Sequence, residues 1–251
     1  MKDRTIPLLS LEYCSRAITE YSYGEIKDYA GHTSYRAPGC LIYSRNYIYE
    51  PDEERFGEEF YDIAGEIKEL AKKGGPEKFS FLRDEAPDDY IEKLDSLGAK
   101  RRGPQTGMLL KIDYFEKLPE EENVRLITKE EIPEWENVLF AGFGDIKVRE
   151  DGLYGRFYET DGVKLYAYYD NEKIMGTSML ITEGDLSGIH EVTVLPEFRR
   201  KGAAESMLKA MINDLKKQKI RMVSLQASPM GLPLYKKLGF EELSGIETWY
   251  F

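Results

Sequence analysis

The sequence predicts an α/β protein whose sheet carries helices on both faces. From about residue 123 onward, segments with apolar residues at helical spacing alternate with short β-branched or aromatic runs. The stretch "LPEFRRKGAAESML", residues 195–208, stands as a basic, glycine-containing turn between an apolar strand and an apolar helix. A fainter copy of the later part of that order runs through the first 120 residues, which suggests a tandem duplication.

Taken in order, "NVRLIT" reads as a strand, and "KEEIPEWENVLFAGF" has helical apolar spacing. "DGLYGRFYE" is a weaker helix. "GVKLYAYYD" and "KIMGTSMLIT" are strands joined by "NE" as a hairpin turn. "GIHEVTVL" is a β-branched strand ending at Pro196, and "GAAESMLKAMINDLKKQ" is a helix with Met207, Leu208, Met211 and Leu215 on one stripe. "RMVSLQA" is a strand, "GLPLYKKLGF" a short helix stopped by Gly239, and "ETWYF" a last strand. In the first half, "GCLIYSRNYIYE", "KFSFL" and "TGMLLKI" are strands, while "FGEEFYDIAGEIKELAKK" and "DDYIEKLDSLGA" are helices. "EKLPEEEN" reads as a linker, which puts the domains at 1–118 and 119–251.

A chain of 251 residues can bury two such cores. With 41% hydrophobic and 32% charged residues, the composition is that of a soluble globular protein, neither disordered nor membrane-spanning. The net charge of -11 argues against nucleic acid or an anionic membrane as partner unless basic residues gather in one place. That makes Arg199, Arg200 and Lys201 stand out. The two cysteines, Cys14 and Cys40, show no zinc or disulfide spacing, so a reducing, cytoplasmic compartment and no metal are expected. "MKDRTIPLLSLEYCSRA" has too short an apolar run for a signal peptide, and no run is long enough to span a bilayer.

A strand ending in proline, then a basic turn with glycine, then a helix presents backbone amides at the positive end of the helix, an arrangement that binds phosphate. Gly202 allows close approach, and Ala203 and Ala204 keep the first turn narrow. Neither the nucleotide-triphosphate loop nor the three-glycine dinucleotide fingerprint is present. Instead, Arg199-x-x-Gly202-x-Ala204 after "IHEVTVLPEF", with "ASPMGLPLYKKLGF" downstream, resembles the GNAT family of acetyl-CoA-dependent N-acetyltransferases over roughly the C-terminal half.

The resemblance implies a GNAT fold: a mixed, mostly antiparallel central sheet with a splayed strand pair and flanking helices. It implies acetyl-CoA as co-substrate, its pyrophosphate on the turn from Arg199 and Arg200 through Lys201, Gly202, Ala203 and Ala204. Pantetheine would lie along "HEVTV", pairing with main-chain groups of Val192 and Val194, and the amine would attack the thioester directly. Tyr235 matches the tyrosine that donates to the departing thiolate. His190 is the candidate base. Strand alternation puts it on one face with Val192 and Val194, the face expected to line the cleft, with Glu191 facing away as second choice. The first copy has "PDEERFG", followed by Glu58 and Glu59, where the second has "PEFRRKG". Carboxylates there exclude a phosphate, and Leu94 stands in place of Tyr235, so one active site per chain is expected, with the N-terminal domain a degenerate copy.

The acceptor is expected to be a primary amine of a small molecule or peptide, favoured by the acidic surface if cationic. Phe140, Phe143, Tyr154, Phe157, Tyr158, Tyr166 and Tyr168 are candidates for its pocket, although most aromatics at such spacing are core. A homodimer is compatible with the sequence, which does not specify one. The competing readings are a non-catalytic coenzyme A-binding regulatory module and an aminoacyl-tRNA-dependent ligase, the latter disfavoured by net charge.

Overall fold

A computed structural model of the chain describes residues 6–21, 25–29, 32–36, 45–48, 56–74, 77–112, 118–144 and 152–251. In chain order they form α1 (Ile6–Tyr21), β1 (Glu25–Tyr29), β2 (His32–Arg36), β3 (Arg45–Ile48), α2 (Phe56–Gly74), β4 (Lys78–Leu82), α3 (Tyr90–Ser96), β5 (Lys100–Arg101) and β6 (Gln105–Lys111). There follow β7 (Val124–Leu126), α4 (Ile132–Gly142), α5 (Leu153–Glu159), β8 (Val163–Asp170), β9 (Lys173–Glu183), β10 (Leu186–Val194), α6 (Ala203–Lys217), β11 (Met222–Ala227), α7 (Leu232–Lys237) and β12 (Glu241–Tyr250). Two compact units result: Met1–Met108 with Gln226–Phe251, and Leu109–Leu225. The expected division at 118/119 follows the sequence repeat. The compact units instead assign the last 26 residues, α7 and β12 included, to the first unit.

In the first unit β1, β2 and β3 are antiparallel neighbours, and β3 runs parallel to β4. β12 adds antiparallel to β4, with Trp249 opposite Phe79 and Glu247 opposite Phe81. Apolar residues of α2, Phe60, Ile63 and Ile67, cover one face of this sheet together with Phe79, Phe81 and Trp249. α1 covers a second cluster through Leu8, packed with Tyr35, Tyr47, Leu82 and Ile246. Glu247 on β12 is fully buried and is held by Arg101 (Nη2 to Oε1, 2.6 Å) and Arg83 (Nε to Oε1, 3.1 Å). Gly245 leaves room for Arg83, since a Cβ there would lie 2.6 Å from the guanidinium carbon.

In the second unit β7, β8, β9 and β10 are antiparallel neighbours, and β10 runs parallel to residues 222–225 of β11. Asn171 and Glu172, both at positive φ (49° and 66°), close the β8–β9 hairpin as the expected two-residue turn. α4 and α5 cover one face, where Trp135 donates to the Tyr166 carbonyl at 2.8 Å and packs on Tyr154. α6 covers the other through Met207, Leu208, Met211 and Leu215, all fully buried, as the apolar stripe predicts. Before α6, the segment at Leu118 and Pro119 is tied to that helix by Asn213, whose side chain accepts from the Leu118 amide (3.0 Å) and donates to both carbonyls.

The helix α1 and the β1–β2 hairpin are absent from the sequence reading. Their strands are short, and β1 is almost wholly exposed, so neither carries a clear apolar alternation. The first-copy turn at 51–55, the strand residues 39–44, Cys40 and linker residues 116–117 lie outside the described residues.

Candidate active site

β10 holds the residues singled out by sequence, and a one-residue bulge governs where they point. His190 pairs with Met179 and Thr193 with Thr177, so three steps along β10 answer two along β9. Glu191 within the bulge takes a φ of 54°, and its carbonyl accepts from the Thr177 hydroxyl at 3.0 Å. The extra residue resets the alternation. His190 therefore shares a face with Thr193, whereas Val194, opposite Gly176, turns to the α6 face and packs with Ala203 and Met207. The expectation that His190, Val192 and Val194 line one face is corrected on this ground. Glu191 likewise sits where alternation no longer sets its direction.

His190 is buried, and its ring lies back over Gly188, where a Cβ would come within 2.4 Å of Nε2. Pairing between β10 and β11 ends at Ile189 opposite Leu225, while β10 runs on to Val194. Past that point β10 has no β11 register, which is the opening expected of a splayed pair.

Beyond β10, Pro196–Phe198 form a single 3-10 turn, Arg200 and Gly202 take positive φ (60° and 90°), and α6 begins at Ala203. A side chain at Gly202 would meet nothing within 4 Å, so the glycine answers to the backbone angle and leaves the surface open. The Arg199 amide donates to the Pro196 carbonyl, and the next bond of the turn is Ser206 to Gly202. Among the described residues the amides of Arg200, Lys201, Gly202, Ala203 and Ala204 find no backbone acceptor between these two bonds. Such a row of amides at a helix N-terminus suits an anion. The Arg200 and Lys201 side chains are exposed beside it, with the Lys201 ammonium 4.8 Å from the Phe198 ring centre.

Arg199 is engaged differently. Its Nε donates to the Val194 carbonyl (3.0 Å) and its Nη2 to the Gly142 carbonyl (2.7 Å) at the end of α4. The Val194 carbonyl, expected to face pantetheine, thus already accepts from a side chain. Gly142 itself approaches β10 closely: a Cβ there would lie 2.3 Å from Thr193 Oγ1.

Tyr235 belongs to the other unit, in α7, where its ring packs edge-on against Phe240 (5.9 Å) and over Gly231. Burial pushes its phenol up to about 12, so the hydroxyl keeps its proton at neutral pH. Of the candidate acceptor aromatics, Phe140, Tyr154 and Phe157 are core, joined by ring contacts. Tyr166 and Tyr168 face α6, the former donating to Asp214. Phe143 stays exposed and Tyr158 half-exposed.

Neither Thr177, which holds the bulge, nor Gly142, which receives Arg199, is suggested by the sequence. Thr177 acts through the carbonyl of Glu191, and Gly142 through its own carbonyl, which accepts from Arg199 far along the chain. No group of metal-ligating side chains occurs among the described residues, and no helix among them is long and apolar enough to cross a membrane.

Residues 125–248 match the family model described as an acetyltransferase (GNAT) domain. Among solved structures, a functionally unknown conserved protein from Staphylococcus epidermidis is similar with a TM-score of 0.69 at 18% identity, over 90% of this chain and 93% of that one. A GCN5-related N-acetyltransferase from Kribbella flavida is similar with a TM-score of 0.64 at 12% identity, over 98% and 93%. One from Sphaerobacter thermophilus gives 0.64 at 12% identity, over 97% and 92%. At such identities the likeness establishes the fold, a mixed, mostly antiparallel GNAT sheet with flanking helices. No curated protein matches the chain.

Proposed function

Because residues 125–248 match the acetyltransferase (GNAT) family model, we propose that the protein transfers an acetyl group from acetyl-CoA to a primary amine of a small molecule or peptide. The observation that carries this reading is the amide-lined turn at the start of α6, flanked by Arg200 and Lys201, directly after a strand that runs on past its parallel neighbour. The turn amides from Arg200 to Ala204 bind the pyrophosphate, with Arg199 behind them. Main-chain groups around Val192 and Val194 receive pantetheine.

The amine must lose a proton before it attacks the thioester carbonyl, and the thiolate that departs must gain one. His190 takes the proton, directly or through water, and passes it to solvent. Tyr235 carries the role its motif implies, since a phenol that stays neutral can donate to the thiolate. The N-terminal domain is a degenerate GNAT copy without a second coenzyme site. Support for this comes from the order β3, α2, β4, which repeats β10, α6, β11 with a parallel strand pair in each.

The test is thiol release from acetyl-CoA across a panel of primary amines. At least one amine should be turned over. Tyr235→Phe should lower kcat by about 100-fold while leaving acetyl-CoA affinity unchanged, and His190→Ala should erase the acid limb of the pH–rate profile. An unmoved profile in His190→Ala removes the base assignment. Binding of acetyl-CoA with no turnover of any amine favours a regulatory coenzyme A-binding module.

A further inference from the structure

Arg199 stands first in the motif that reads as phosphate-binding, and although the residue is exposed its guanidinium is engaged by two main-chain carbonyls, those of Val194 and Gly142. The first closes the end of β10, just past the bulge. The second is among the last carbonyls of α4, which have no partner within the helix and form its negative end. A cation bonded there makes charge-assisted hydrogen bonds to both, and one planar group fixes the distance between a helix end and a strand end.

We propose that Arg199 is a positioning residue, not a phosphate ligand: it ties the phosphate turn to the C-terminus of α4, so that filling the turn steadies the end of that helix. The inference rests on the acetyl-CoA reading of that turn. Three observations beyond the two hydrogen bonds support it. Gly142 sits so close to Thr193 that no side chain fits between them, so the end of α4 is packed directly on β10. Arg200, immediately after Arg199, takes a left-handed φ of 60°, a conformation that needs its neighbours held. Glu136, further back on α4, accepts from the Tyr154 amide at the start of α5 (3.3 Å), so what steadies α4 also bears on α5. The tie thus joins the part of the site that would hold the donor to the end of α4, next to the exposed Phe143.

The division of labour is therefore specific. Arg200 and Lys201 act on the donor alone, whereas Arg199 acts on the donor and on α4 together. Hydrogen exchange of the peptide covering residues 136–144, with and without acetyl-CoA, reads the second effect without any acceptor, and calorimetry reads the first. Arg199→Ala is expected to speed exchange in 136–144 in the ligand-free protein and to weaken acetyl-CoA about 10-fold or more. Arg199→Lys, which keeps the charge but loses the fork, should restore only part of either. Arg200→Ala should weaken acetyl-CoA with exchange in 136–144 unchanged. Saturating acetyl-CoA should slow exchange there in the wild type and in Arg200→Ala, but not in Arg199→Ala. If Arg199→Ala fails to fold, Gly142→Ala tests the tie from the other end, because it pushes Thr193 away with every charge in place. It should reproduce the faster exchange and the weaker binding.

The proposal is overturned if Arg199→Ala exchanges like the wild type in 136–144 while losing affinity as Arg200→Ala does, which is the behaviour of a plain phosphate ligand. It is equally overturned if Arg199→Lys or Gly142→Ala leaves both readouts at wild-type values. Absence of any acetyl-CoA binding by the wild type contradicts the functional reading instead, and the ligand-free exchange still decides whether the tie exists.

Discussion

Single residues here act mainly through main-chain atoms. Thr177 holds the Glu191 carbonyl and thereby a bulge, and Arg199 holds two carbonyls at once. Neither role is legible in the sequence, because a residue type shows what can donate but not which distant carbonyl receives. His32 is a residue of another kind. It is buried in the first unit, stacked on Tyr29 at 4.5 Å, and burial pushes its imidazole down to about 4. The neutral ring is thus the folded form, while the unfolded chain takes up its proton near the ordinary value of about 6.5. Between about 6.5 and about 4 the unfolded state binds the extra proton, so stability that is complete above 6.5 is lost as pH falls through that window. The full effect is about 3 kcal/mol. Urea unfolding at pH 7 and pH 4.5 should show this loss, and His32→Phe, which keeps the stack, should make the two midpoints more alike. An unchanged pH dependence in His32→Phe would rule His32 out as its source.

At the scale of elements, strongly periodic segments were legible and those set by remote partners were not. The stripe of α6, the β8–β9 turn and the stop at Gly239 follow from local chemistry, and the structure has each of them. The bulge in β10 left no trace, since its positive-φ residue is a glutamate and not a glycine or asparagine. The placement of β12 was also beyond reach. Its sequence follows the C-terminal motif, but its pairing with β4 belongs to the first unit. Buried Glu247 makes that pairing consequential: burial alone would raise its carboxyl, yet Arg101 and Arg83 hold it below the usual carboxylate range. Removing it leaves two partly exposed arginines without their counter-charge inside the sheet. Glu247→Ala should cost about 3 kcal/mol in chemical unfolding, and a loss below about 0.5 kcal/mol would show that the ion pairs are incidental to β12 docking.

For the whole molecule, the motif predicted the donor half of the chemistry and left the acceptor open. The phosphate turn is a local strand–turn–helix feature with a recognisable sequence. An acceptor pocket is assembled from scattered side chains, and most of the aromatics first assigned to it are core or face α6. The net charge of -11 concentrates interest on the exposed basic turn before α6, since an acidic protein that binds a polyanionic coenzyme must do so where amides and cations override its overall field. Calorimetric titration with acetyl-CoA of the wild type and of Gly202→Glu tests that claim most directly. A side chain at Gly202 has open space, so the variant should fold with only a small loss from its positive φ, while its carboxylate occupies the anion site. The account predicts binding near one per chain by the wild type and none by the variant. Equal binding by both proteins, or a stoichiometry near two, would contradict it.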